Sequence, residues 1–164
     1  MKKIKLANRE RYALVDDADF DFLNRFRWHL SAGRYAATFV NGQRERMHRL
    51  LFNNPENITI DHIDGNGLNN QRSNLRLATM TQQQWNRRKH VVSSSKYKGV
   101  YWNKDRNCWV TRIVYKGNHR HLGCFNSEVK AAKIYNREAR KLFGEYAKLN
   151  IIEDYRVPIC PMGI

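Results

Sequence analysis

Residues 89–95 read Lys-His-Val-Val-Ser-Ser-Ser, a polar, serine-rich stretch with neither a two-residue nor a 3.6-residue period. Such a stretch between two patterned regions reads as a linker. It constrains the fold more than any other feature, because it leaves two pieces, 1–88 and 96–164. A piece of that size buries only a small core and must be built from few elements. The whole chain of 164 residues therefore reads as two small domains. A hydrophobic fraction of 41%, with 12% aromatics, is enough to pack both and excludes wholesale disorder. No internal repeat relates the two pieces.

The chain carries 30 Lys and Arg against 15 Asp and Glu, a formal net charge of +15. A surplus of that size lies on the surface and repels itself in the compact state. A polyanion relieves the repulsion and releases its own counterions in doing so. Nucleic acid is the favoured partner. Anionic lipid fits less well, because no basic amphipathic helix has a Trp/Leu face. No apolar run approaches the ~18 residues of a spanning helix, which excludes a membrane-spanning protein. The opening MKKIKLANRERY lacks the apolar segment of a secretory signal. Cys108, Cys124 and Cys160 are odd in number and lack CxxC spacing. That argues against a disulfide framework or a zinc ribbon and for a reducing, cytoplasmic setting.

In the first piece, Arg11–Asp16 reads as a strand, and Asp16–Trp28 has Phe22 and Phe26 at helical spacing with acids in its first turn. Asn41-Gly42 predicts a tight hairpin between Arg34–Val40 and Gln43–Met47. Met47–Asn53 is a short helix or turn. Ile58–Asp64 alternates like a strand, Gly65–Asn70 is a Gly/Asn loop, and Leu75–Thr79 alternates again. Thr81 is placed to cap a helix through Gln82–Lys89.

This strand–loop–strand–helix stretch gathers the residue types that phosphodiester cleavage with one metal ion needs. A carboxylate, Asp61, can hold a hard divalent cation, and the cation offsets charge building on the phosphate. A neutral imidazole, His62, can take a proton from the attacking water. An amide, Asn74 or one of Gln82, Gln83, Gln84 and Asn86, can fix that imidazole or complete the ligand set. Adjacent strand residues point to opposite faces, so Asp61 and His62 share a site only where the strand bends or ends. A hydrogen-bonded turn of Asp61, His62 and Asp64 with no catalytic role explains the spacing equally well.

The run HRLLFN…IDHIDGNGLNNQRSNLRLAT, about His48 to Asn86, resembles the HNH endonucleases of the phage type, and ALVDDADFDFL…RW…YAA resembles their N-terminal lead-in. The resemblance implies a ββα-metal finger with Asp61 as a metal ligand, His62 as general base and Asn74 as the residue orienting His62. It also implies a second ligand in the following helix, usually Asn or His. The matching position holds Gln83, and Asn86, one helical turn on, lies on the same face as an alternative. His48 matches the HRL element and reads as structural or phosphate-adjacent.

The second piece has three strand-like stretches, Lys96–Trp102, Cys108–Tyr115 and His119–Phe125, with a tight turn at Lys116-Gly117-Asn118. A helix over Ser127–Phe143 follows, capped by Ser127 and stopped by Gly144. A three-stranded antiparallel sheet covered by one helix leaves its other face open, either as a solvated polar surface or as a major-groove reader. The YKGV start, HLGCF centre, AA..Y…A helix and AKLN end resemble an AP2 DNA-binding domain over about 95–150. That resemblance implies DNA contacts by Lys98, Tyr101, Asn103, Arg112, Val114, His119 and His121.

The sequence thus reads as an α+β chain: an HNH domain over 1–88, a linker over 89–95, an AP2-like module over 96–150 and a tail over 151–164. The function implied is a phage-type, homing-like DNA endonuclease that uses one Mg²⁺ or Mn²⁺ per site on double-stranded DNA. A DNA-binding protein with a degenerate HNH half is the alternative.

Overall fold

The computed structural model describes residues 1–53, 55–87 and 93–152. The chain divides into two compact units, Met1–Arg87 and Arg88–Ile164, both mixed α+β with small antiparallel sheets.

The first unit opens with an antiparallel pair, β1 (Lys2–Lys5) and β2 (Tyr12–Val15). β1 lies in a lysine-rich run that gives no strand signal; it pairs because Ile4 is buried opposite Ala13. Helix α1 spans Asp17–Leu23, with Asp17 and Asp19 in its first turn. It is shorter than the helical spacing through Trp28 predicts. Trp28 Nε1 donates to the Leu23 carbonyl at 2.8 Å, which caps the helix and folds the chain back so that the indole is 1% exposed. Strands β3 (His29–Ser31), β4 (Tyr35–Val40) and β5 (Gln43–Arg46) form a meander. Asn41 and Gly42 at its tip have φ of 50° and 76°, as a type I′ turn requires. Helix α2 (Met47–Leu51) follows directly. Then β6 (Thr59–His62) pairs with β7 (Leu75–Ala78), and α3 (Met80–Trp85) completes a ββα arrangement. The cap of α3 is Thr79, not Thr81. Thr79 Oγ1 accepts from Gln82 N at 3.2 Å while Gln82 Oε1 accepts from Thr79 N at 2.8 Å. This reciprocal pair satisfies two groups at the helix start. Ile4, Leu6, Val15, Leu23, Trp28, Met47, Ile60 and Leu75 meet in one core, so both sheets and the ββα element share it.

In the second unit β8 (Val100–Asn103), β9 (Cys108–Tyr115) and β10 (Asn118–Phe125) form an antiparallel sheet with β9 central. Helix α4 (Glu128–Phe143) lies against it, with Ala131, Ala132, Tyr135, Ala139 and Phe143 buried. Small residues on that face let the helix approach closely, and Thr111 Oγ1 reaches the Ala131 carbonyl at 3.2 Å. Ser127 Oγ accepts from Lys130 N. Of the predicted linker, residues 89–92 lie outside the described residues, and the serines that follow belong to this unit. Ser94 Oγ accepts from Trp102 N at 2.8 Å, and Ser95 Oγ donates to Glu128 at 2.6 Å. After α4, Asn150 bonds the backbone of Lys98 and the amide of Asn136. Most of the predicted tail, 153–164, lies outside the described residues. Among the described residues, no helix is long and apolar enough to cross a membrane.

Candidate active site

The loop between β6 and β7 is held by its own asparagines. Asp64 accepts from the backbone of Asn66 at 2.7 Å and from the side chains of Asn69 and Asn74 at 2.9 and 3.0 Å. Asn74 also donates to the Asn69 carbonyl and accepts from Asp64 N. Burial alone would raise the Asp64 pKa, but these donors hold it below the ordinary carboxylate range. The loop is tied to the rest of the unit as well. Leu14 exchanges backbone bonds with Leu68 and Asn70, both at 2.8 Å, and Arg72 pairs with Asp19. A Cβ on Gly67 would lie 2.6 Å from Tyr35 Cδ1 and closer still to the Arg34 carbonyl, so only glycine lets the loop lie on β4.

Asp61 and His62 are both buried at the end of β6, and they have different neighbours, as strand alternation requires. Asp61 Oδ2 accepts from Arg76 Nη2 at 3.0 Å and Nε at 3.2 Å, across the strand pair, and from Asn86 Nδ2 at 2.9 Å. Asn86, immediately after α3, also donates to the His62 carbonyl at 2.8 Å. One amide thus ties the acid to the backbone of the imidazole. His62 Nε2 lies 3.3 Å from Asn70 Oδ1. Its ring meets His48 edge-on, with centroids 4.9 Å apart and planes at 83°, and lies 5.9 Å from Tyr35.

With Asn70 Oδ1 as acceptor, Nε2 of His62 carries the proton and Nδ1 is left as the basic nitrogen. No described group bonds Nδ1, and unlike His48 Nδ1 and Asn70 Nδ2 it is not sealed from solvent. Burial lowers the His62 pKa. The Asn70 bond, Asp64 and Asp61 oppose that shift, and Arg34 adds to it. Burial also pushes His48 down to about 3, helped by His62, Arg46 and Arg49. Both imidazoles are therefore neutral at pH 7.

Several residues singled out from the sequence sit elsewhere than that reading has them. Asn74 makes no side-chain hydrogen bond with His62; Asn70 does, and Asn74 shapes the loop that delivers Asn70. Gln83 makes no side-chain bond with Asp61, whereas Asn86 does. His48 packs directly on His62. Asn70, Arg76 and Tyr35 were missed. Asn70 alone carried a signal, as one of the run of asparagines around the acidic turn.

Among the described residues, no three His, Cys, Asp or Glu side chains converge on a metal. The donor set still fits a hard cation. Asp61 Oδ1 and Asn86 Oδ1 are oxygen atoms without hydrogen bonds, and such an ion takes its remaining ligands from water and phosphate.

In the second unit, Tyr101, Asn103, Arg112, Val114, His119 and His121 share the sheet face turned away from α4. Arg112 is paired with His121 and Val114 with His119. The Arg112 guanidinium lies 5.6 Å from the Tyr101 ring centroid. Lys98 stands apart from this face. It precedes β8, its backbone is clamped by Asn150, and burial followed by the charge of Lys148 lowers its pKa to about 8.

The HNH endonuclease family profile matches residues 53–84, from just after α2 to the next-to-last residue of α3. A protein of Acanthamoeba polyphaga mimivirus described as an uncharacterized HNH endonuclease is 33% identical over 148 residues, 87% of this chain and 76% of the relative. The chain belongs to the HNH endonuclease family. The match to the viral HNH endonuclease is longer than the first unit, so it reaches into the second. Protein 3.8 of Escherichia phage T7 is 35% identical over 94 residues, 57% of this chain and 77% of that protein. No solved structure matches the chain significantly. As an HNH endonuclease this protein is a nuclease, and members of the family generally use a divalent metal.

Proposed function

We propose that this HNH endonuclease hydrolyses phosphodiester bonds of duplex DNA, one strand per site, with His62 Nδ1 as the general base. The observation that carries the reading is the division of labour on the imidazole: Nε2 is engaged by Asn70 while Nδ1 stays open and neutral. Nδ1 accepts a proton from the attacking water as its oxygen bonds to phosphorus and the bond to the leaving oxygen breaks. Asp61 and Asn86 would hold one Mg²⁺ or Mn²⁺, which when bound offsets charge on the phosphate and the leaving group. Arg76 holds the Asp61 carboxylate in place. The second unit targets the enzyme in this reading, as an AP2-like module laying its open sheet face in the major groove. A single site makes the monomer a nicking enzyme, in keeping with a homing-like role.

Incubating supercoiled plasmid with the purified full chain tests the reading. Open circles form with Mg²⁺ or Mn²⁺ and not with chelator; intact supercoils under both conditions exclude it. Within that assay, Asn86→Ala lowers nicking about tenfold or more and raises the Mg²⁺ concentration needed, by analogy with the loss of other groups that orient metal ligands. Gln83→Ala changes both by less than about threefold. The reverse order would return the second ligand to Gln83.

A further inference from the structure

The wall beside His62 collects positive charge that forms no ion pair among the described residues. Arg34 and Arg46 both lie over the ring of Tyr35, at 5.6 and 5.0 Å from its centroid. The same ring stands 5.3 Å from His48 and 5.9 Å from His62. Two arginines of this unit do have acids, Arg72 with Asp19 and Arg76 with Asp61. The side chains of Arg34 and Arg46 have no ion pair or hydrogen bond with any described residue, and both are exposed. Two like charges held on one ring repel each other, and an anion placed between them removes that cost.

A second observation points the same way. His48 is 4% exposed, and its Nδ1 is sealed without a partner. A proton there would be a buried N–H with no acceptor, so the ring carries its proton on Nε2. Nε2 has no partner among the described residues and is not sealed, so it is an open donor on a ring 5.3 Å from Tyr35, the ring that both guanidiniums flank. All three residues lie in the 34–48 segment, outside the stretch 53–84 that matches the family.

We propose that Arg34, Arg46 and the Nε2 edge of His48 form a phosphate grip for the DNA strand being cut, holding the phosphate next to the scissile one. The proposal rests on the reading of His62 as the base. Tyr35 serves as the platform that sets the two guanidiniums, and Gly67 lets the catalytic loop close onto it.

The test compares the full-length Arg34→Ala/Arg46→Ala protein with wild type, and with an Arg9→Ala/Arg11→Ala protein that removes the same charge at two exposed positions elsewhere. The grip predicts a KM for plasmid nicking raised about tenfold or more. It also predicts that the slope of log affinity against log salt becomes shallower by about one, for the one phosphate that the arginine pair no longer neutralises. The Arg9/Arg11 control changes KM by less than about threefold. Arg34→Lys/Arg46→Lys restores part of the affinity, because an ammonium keeps the charge without the fork. His48→Leu raises KM in the same direction; the arginine pair is exposed, so its result stands even where His48→Leu fails to fold. A wild-type KM and salt slope in the double alanine protein overturns the grip. If His62→Ala is inactive in that same case, only the grip fails; if His62→Ala nicks normally, the reading of the base fails first.

Discussion

Replacing His62 by alanine reduces metal-dependent nicking by about 10²–10⁴-fold, the range for loss of a general base, while DNA retention in a gel shift stays within about twofold of wild type. The separation is expected because His62 contributes no charge at pH 7 and faces an asparagine, a histidine and a tyrosine rather than a cation binding phosphate. A matching pH profile follows from the direction of its pKa. The base works only when neutral, and burial holds the ring neutral to lower pH than an ordinary histidine. The acid limb of kcat/KM in wild type therefore lies below pH 6.5. Asn70→Ala removes the acceptor that fixes Nε2–H and frees the ring to flip. It costs about 10–100-fold in rate, as loss of a group orienting a catalytic ligand does, and adds little on top of His62→Ala. Normal nicking by His62→Ala would require a different base, and a limb well above pH 6.5 would mean that the imidazole is solvated or charged in the free enzyme.

Much of the framework behind these expectations was readable before any coordinates. Asn41-Gly42 marks a hairpin because the turn needs two positive φ values. The β6–β7–α3 order follows from alternation and a local cap, and α4 from apolar spacing closed by Ser127 and Gly144. These are interactions within a few residues, where chain chemistry dictates the outcome. The site's contacts were less readable, because they are made across the chain. Asn66, Asn69, Asn70 and Asn74 are chemically equivalent in sequence. Which of them meets His62 depends on the turn closed by Asp64 and on the seam to Leu14, far upstream. Helix α1 is a local exception: apolar spacing continues to Trp28, but the bond from that indole to the Leu23 carbonyl, five residues back, accompanies an earlier end that spacing alone does not show. Alternation correctly separated the faces of Asp61 and His62; what joins them is Asn86, whose amide spans the strand.

The burial that keeps two imidazoles neutral has a measurable cost in acid. His48 ionises at about 3 in the folded protein and at 6.5 when unfolded. Between those values the unfolded chain binds a proton that the folded one refuses, so stability is full above pH 6.5 and falls as pH drops toward 3. The slope for one such group reaches about 1.4 kcal/mol per pH unit, so from pH 7.5 to pH 5.0 the first unit loses roughly 2 kcal/mol through His48. His62, lowered in the same direction, adds to the loss. Against total stabilities of about 5–15 kcal/mol this is a large fraction. It also falls above the range in which carboxylates such as Asp64 titrate, so the two sources separate on the pH axis. Urea denaturation of the full chain, followed through the buried indole N–H of Trp28, measures it. The midpoint drops between pH 7.5 and 5.0 in wild type. His48→Gln flattens that dependence even where it lowers the midpoint at both pH values, because glutamine has no proton to gain. An unchanged wild-type midpoint would mean that His48 is already solvated, and the Nε2 edge assigned to the phosphate grip would then belong to a charged, mobile ring.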